Sequence, residues 1–260
     1  MPIADFFLPL TTPLRLPARA HALLNALLPG HCALCGETVD IAAEPARSPC
    51  LCSHCDARFF AAQPHRCPVC ARTLKDTTPG VRCGPCQTAQ PAFDATIVAC
   101  DYVAPADHLV QNLKFQAQLA MAPLFAQLLL RAVHTHDALT ADFITGVPLS
   151  RNRLSARGFN QAIEIARPLA KQLNLPLLPQ LCTRVRDTEA QASLPLPQRR
   201  VNMRGAFIVT PGAPTLTHKT VIVVDDVITT GHTLHEVAAC LKRYGATRVV
   251  NLVFARTQAH

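Results

Sequence analysis

The run from Val221 to Thr233 constrains the fold more than any other stretch of the chain. Val221, Ile222, Val223 and Val224 are four consecutive β-branched apolar residues, the signature of a buried parallel strand covered on both faces. The strand is expected to stop at Asp225 and Asp226. A Thr/Gly turn then leads into a segment of helical spacing from Leu234 to Leu241. Junctions of this kind, at the carboxyl edge of an open α/β sheet, are where such folds bind ligands. Loop amides and the positive end of the helix dipole favour a phosphate there, and threonine hydroxyls add donors. The two carboxylates repel a phosphate, so they suit vicinal hydroxyls or a metal held by a second phosphate group. One hydroxyl-rich end and one anionic end describe a phosphorylated sugar.

Before residue 90 the chain reads differently. Eight of its twelve cysteines form four Cys-x2-Cys pairs: Cys32/Cys35, Cys52/Cys55, Cys67/Cys70 and Cys83/Cys86. Two such turns complete a tetrahedral four-thiolate site, so pairing in sequence order predicts two Zn2+ ions. Turn formers and small residues (Gly36, Ser53, Pro68, Gly84, Pro85) sit in or after the pairs. Cys50 crowds the second pair and is an alternative ligand to Cys52. His31, His54 and His65 lie near the pairs, outside a set of thiolates that is already complete. Cys100, Cys182 and Cys240 stand in apolar or helical contexts and read as buried small hydrophobes. With little periodic pattern in this region, metal rather than an apolar core must hold it.

After Pro91, strand-like and helix-like segments alternate, which implies a mainly parallel sheet with right-handed crossovers. Strands are expected at residues 96–102, 142–147, 205–209, 221–224 and 248–255. Helices are expected over 106–134, hinged between Lys114 and Pro123, and over 159–173. The chain therefore divides into an apolar N-terminal segment (1–30), a double zinc-ribbon domain (31–90) and an α/β domain (91–260). Residues 18–28 have the spacing of a short amphipathic helix. No run of about 18 apolar residues occurs, and no basic leader precedes an apolar block, so neither a membrane span nor a signal peptide is expected.

Charge is concentrated in two stretches. The formal net charge is +8, and residues 150–205 carry ten Lys/Arg against three acids. The loop from Pro148 to Gln161 holds Arg151, Arg153 and Arg157 and opens at the same sheet edge as Asp225, where guanidinium forks suit pyrophosphate oxygens. A second long polar loop, residues 183–204, carries Arg184, Arg186, Arg199 and Arg200. Unstructured connections of that length are commonly functional lids. A basic surface of this kind fits polyanionic partners. Aromatic residues make up 5% of the chain and Trp is absent, which favours electrostatic over stacked contacts with a nucleic-acid strand.

The 221–233 run resembles the phosphoribosyl pyrophosphate (PRPP) motif of the type I phosphoribosyltransferases. That resemblance implies ribose-hydroxyl contacts by Asp225 and Asp226, with Val227 beside them. It implies a 5′-phosphate cradle at Thr229, Thr230, Gly231, His232 and Thr233, with Mg2+ accompanying PRPP. Cysteine pairs, then the Arg-Gly-Phe-Asn-Gln segment at 157–161, then the PRPP motif, taken in that order, resemble the ComF family of competence-associated bacterial proteins. The resemblance spans residues 32–256. It implies a type I phosphoribosyltransferase-like fold behind a zinc ribbon, and a cytoplasmic protein that supports DNA uptake and natural transformation. Incoming single-stranded DNA and proteins of the uptake machinery would be its partners. The alternative is an active phosphoribosyltransferase that uses a nucleobase or related acceptor in nucleotide salvage. Binding and transfer share the same motif residues, so the sequence leaves turnover open.

Overall fold

The computed structural model describes residues 30–39, 50–61, 64–76, 78, 80–136, 139–185 and 205–258. The segment 18–28 and the arginines Arg186, Arg199 and Arg200 lie outside the described residues.

The N-terminal region contains a two-stranded hairpin, β1 (Gly30–His31) and β2 (Thr38–Val39), and two short helices, α1 (Ser53–Phe59) and α2 (Gly84–Thr88). The α/β domain continues with β3 (Ala95–Asp101), α3 (Ala106–Phe115), α4 (Met121–His134) and β4 (Phe143–Gly146). Next come α5 (Arg151–Arg157), α6 (Gln161–Leu173), β5 (Cys182–Arg184) and β6 (Phe207–Val209). β7 (Thr220–Ile228), α7 (His232–Arg243) and β8 (Arg248–Arg256) complete it.

β3, β8, β7 and β4 form a parallel sheet in that order. Its central strands are buried on both faces, as continuous Val/Ile/Leu runs require. Helices α4 and α6 cover one face, where Phe125 stacks on Phe254 with ring centroids 3.7 Å apart. The other face buries the apolar side of α7, with Leu234, Val237, Ala238 and Leu241 inside. The expected hinge between Lys114 and Pro123 is the break between α3 and α4.

Three expectations are corrected. β7 does not stop at Asp225 but runs through both acids to Ile228. Its neighbour β8 keeps pairing as far as Ile228↔Arg256, whereas β4 ends at Gly146↔Val224. The acids thus extend a strand that has lost one partner. The segment 205–209 does not join the main sheet: β6 pairs antiparallel with β5 as a separate ribbon. The loop 148–161 is not irregular throughout. Ser150 accepts the Arg153 N–H (3.5 Å) as an N-cap, and Gly158, at φ 81°, ends the single short helix α5 between them. A positive φ there is easily reached only by glycine.

The two cysteine clusters dock on opposite sides of edge strand β3. Cys32 and Cys55 pack with Leu51 and Phe60 in the core that includes α4. Cys67, Cys83 and Cys86 pack with Phe93 and Leu234 in the core that includes α7. Asp56 accepts two hydrogen bonds from Arg131 on α4, at 2.8 and 2.6 Å. Across β3, Arg66 pairs with Asp101 (2.9 Å) and Thr96 N–H donates to the Pro68 carbonyl (3.2 Å). An edge covered in this way is withdrawn from strand addition by another chain. Among the described residues no helix is long and apolar enough to cross a membrane.

Candidate functional site

The site lies at the carboxyl edge of the sheet, where β7 outruns β4. Gly231 sits at φ 81° between β7 and α7, and its carbonyl accepts the His235 N–H (2.9 Å) to begin the helix. Thr229 and Thr230 are exposed, and Gly231, His232 and Thr233 are half-buried. Together with Asp225 and Val227 they line a pocket of about 50 Å³, the size of a small anion. The Thr230 hydroxyl and His232 Nδ1 are 3.3 Å apart. Seven of the eight residues singled out from the PRPP-like run therefore line one pocket; Asp226 does not, and turns instead to Lys114 and Gln161.

The two acids are not equivalent. Asp226 is buried at 3% exposure, while Asp225 is half-buried. Burial acts to raise Asp226, but Lys114 at the end of α3 forms an ion pair with Oδ2 and holds its carboxyl below the usual range. Gln161 Nε2 approaches Oδ1 at 3.5 Å. Asp225 goes the other way. Burial and the neighbouring Asp226 charge push its carboxyl well above the usual range, and its Oδ1 accepts the Asp226 N–H (2.9 Å). Two carboxylates this close share charge unevenly. A dication or sugar hydroxyls would offset that repulsion.

Four residues of the 157–161 segment have separate tasks. Arg157 lies over the Phe115 ring at 5.6 Å and donates to Gln161 Oε1 at 2.5 Å. Gly158 turns the chain. Asn160 Oδ1 caps α6 by accepting the Ala162 N–H, and its Nδ2 donates to the Val147 carbonyl, both at 3.0 Å. Gln161 links Arg157 to Asp226. Of the basic residues expected here, Arg157 reaches the acidic pair through Gln161. Arg151 and Arg153 are exposed on α5, and Arg184 packs over Phe207 in the β5–β6 ribbon at 5.9 Å. Lys114 and Gln161 both contact Asp226, a role the sequence pattern does not reveal. A lone lysine at the end of an amphipathic helix carries no local signal of a partner on β7.

The cysteines group as the spacing predicts. Cys32, Cys35, Cys52 and Cys55 bring their Sγ atoms within 4.8 Å of one another, and so do Cys67, Cys70, Cys83 and Cys86. Sγ–Sγ distances of 3.6 Å (Cys35–Cys52) and 3.5 Å (Cys70–Cys83) fit a tetrahedral ion, whose ~2.3 Å Zn–S bonds set comparable separations. Cys50 is excluded from the first group; its Sγ is 3.8 Å from the Ala120 carbonyl. Burial tends to raise the Cys32 thiol, but backbone N–H groups of Cys52, Cys35 and Leu34 outweigh it and bring it down to about 6. Cys67 comes down to about 7 in the same way, through Cys70, Cys83 and Val69. Burial and neighbouring thiols push Cys55 and Cys86 up strongly. Within each group some thiols ionise readily and others hold their protons, the arrangement that a dication would complete by displacing them. Cys100, Cys182 and Cys240 are buried, as expected.

The family model of the phosphoribosyl transferase domain matches residues 160–259. Competence protein F of Haemophilus influenzae is 30% identical over 213 residues, covering 76% of this chain and 93% of that protein. DNA utilization protein YhgH of Salmonella typhimurium is 36% identical over 211 residues, covering 80% and 90%. Competence protein ComFC of Streptococcus pneumoniae is 25% identical over 234 residues, covering 86% and 99%.

Proposed function

This chain belongs to the ComF family, with competence protein F and DNA utilization protein YhgH among its relatives, and on that premise we propose that it binds PRPP and handles incoming single-stranded DNA during uptake. The observation that carries the ligand is the Asp225–Asp226 pair on the end of β7 that outruns β4, beside a glycine-led turn at the start of α7. Loop amides and Thr230 would hold the 5′-phosphate. The acids would accept from the ribose hydroxyls, and Mg2+ would bridge the ligand's diphosphate to this anionic end. Arg157, already tied to Gln161, would add a guanidinium on the diphosphate side.

Zn2+ at the two cysteine groups would hold residues 31–90 as a ribbon module on the α/β domain of 91–260. The basic residues, including Arg184, Arg186, Arg199 and Arg200, would contact the DNA backbone, and uptake-machinery proteins would deliver the strand in the cytoplasm. The relatives' names, which speak of competence and DNA utilization, favour this reading over nucleotide salvage.

Calorimetric titration with PRPP and Mg2+ tests the ligand. Asp225→Ala and Asp226→Ala should each weaken binding about 10- to 100-fold, the scale of a charge-assisted hydrogen bond. Thr230→Val should cost less, because backbone amides remain. Unchanged affinity in both aspartate variants would remove the PRPP reading. For DNA, each phosphate contact on a single strand adds about 0.7 to the log–log salt slope. Neutralising the four arginines together should flatten that slope; binding insensitive to salt would exclude them as the contact.

A further inference from the structure

The phosphate turn has a second side. Thr230, Gly231 and His232 line the small pocket beside Asp225 and also a much larger cavity of about 510 Å³ that faces the second cysteine cluster. That volume falls in the ~300–1,000 Å³ range of small-molecule sites. Its walls come from two regions far apart in sequence: Cys70, Arg72, Pro85 and Cys86 from the cluster, and His235, Glu236 and Arg256 from α7 and β8.

The polar groups on these walls are mostly donors. Arg256 ends β8 at 5% exposure, and its Nη1 has no hydrogen-bond partner. Arg72 Nε is likewise buried and unpartnered. His235 Nδ1 accepts the Ala92 N–H (3.1 Å), which leaves the ring proton on Nε2 as a further donor. Glu236, the single carboxylate on the wall among the described residues, already accepts the Gly205 N–H (3.1 Å). Pro85, Ala89 and Pro91 give an apolar flank. A buried guanidinium with an unmet N–H carries a cost that an oxyanion removes.

We propose that this cavity is a nucleotide-binding site, separate from the Asp225–Asp226 end, in which Arg256, Arg72 and His235 hold a phosphate and the proline flank takes the base. The site goes beyond PRPP binding and does not depend on it. Its phosphate comes either from a free mononucleotide or from a phosphodiester of a bound strand; the recognising chemistry is the same. The second cysteine cluster then forms one wall of a ligand site and positions Arg72.

Deoxyadenosine 5′-monophosphate, titrated calorimetrically into the zinc-loaded full chain, tests the site. It should bind at least ~10-fold tighter than deoxyadenosine. Arg72→Gln and Arg256→Gln should each weaken it about 10- to 100-fold while metal content and PRPP affinity hold. Arg256 is buried, so its variant tests folding as well as binding, and half-buried Arg72 is the decisive position. Asp226→Asn should leave mononucleotide binding intact. Oligodeoxyadenylate with unphosphorylated ends that competes with the mononucleotide at this site assigns the phosphate to the strand; failure to compete assigns it to the free nucleotide. The proposal falls if the nucleoside binds as well as the nucleotide, or if Arg72→Gln binds normally. It also falls if Arg72→Gln loses zinc along with the ligand, since the arginine would then only balance the thiolates. Loss of mononucleotide binding in Asp226→Asn would move the ligand to the other end. A wild-type chain that binds mononucleotide but not PRPP would sink the PRPP reading alone.

Discussion

Lys114 at the end of α3 is ion-paired with Asp226 on β7, joining the first helix of the β3–β4 connection to the strand that bears the site. The lysine side chain is 23% exposed and the aspartate 4%. Its ammonium is the counter-charge that lets two adjacent acids sit at one strand end. The stability of this edge depends on it, and so would the proposed sugar contacts.

Lys114→Gln should therefore destabilise the fold at neutral pH. Breaking a buried pair costs about 3–5 kcal/mol, and partial exposure of Lys114 places the expected loss at the lower end. The sign with pH follows from the lowered Asp226 carboxyl. Its contribution is present above the unfolded-state value and is lost as pH falls through the folded-state value. The gap between wild type and variant should close on acidification. Urea denaturation at several pH values measures it, and a gap that stays constant would show that the pair carries no stability.

Asp225 has the opposite sign. Its carboxyl is raised by burial and by the Asp226 charge, so it favours the fold while protonated and that contribution is lost as pH rises through the raised value. Hydroxyl donors or Mg2+ need the carboxylate, so ligand binding should release a proton. PRPP affinity at saturating Mg2+ should rise with pH until Asp225 is ionised and then level off. The Asp225→Asn variant, which keeps only the ligand's own titration, should show a shallower profile. Parallel profiles would exclude Asp225 as the titrating group.

The sequence makes this end of the site legible because its residues are contiguous: thirteen positions from Val221 to Thr233 hold strand, acids, turn and helix start. The cysteine groups are legible for the same reason, since each Cys-x2-Cys turn is local and four pairs leave few assignments. Lys114, Gln161, Arg72 and Arg256 are different. Each acquires its role from a residue far away in the chain, and an isolated Lys or Arg has the same local pattern on any solvated helix or strand end. The overrun of β7 past Val224 has no local signal, because strand length there is set by β8, whose pairing continues to Arg256. Charge at Asp225 and Asp226 reads as a break in a buried strand only while both neighbours are assumed present.

Gly146 sets the approach of α6 to β4. A Cβ at this position would lie 2.9 Å from the Ala162 carbonyl carbon, the Ile163 N and Ile163 Cδ1. The helix backbone cannot yield without moving Gln161 away from Asp226. Gly146→Ala should cost about 1–3 kcal/mol, the range for overpacking, and should weaken PRPP binding as well. Asn160→Ala should act more mildly, by about 1 kcal/mol for the lost cap, plus the orphaned Val147 carbonyl. Denaturant midpoints and ligand titration on the same samples separate the two effects. A Gly146→Ala variant with wild-type midpoint would show that α6 is free to shift.

Metal content gives the last test, because the two cysteine groups dock on different cores. Protein purified without a chelating tag should hold about two Zn2+ per chain, given four thiolates in each group. Cys32→Ser should remove one ion and loosen the contact of Asp56 with Arg131, leaving the α7 side in place. Cys67→Ser should remove the other and disturb the side of the sheet that carries Phe93 and Leu234. Thiolates must lose their protons to bind, so acidification should release metal from both groups. Hydrogen exchange in the two variants locates the loosened regions. One ion in the wild type, or the same pattern of exchange in both variants, would overturn the assignment of two independent sites on opposite sides of β3.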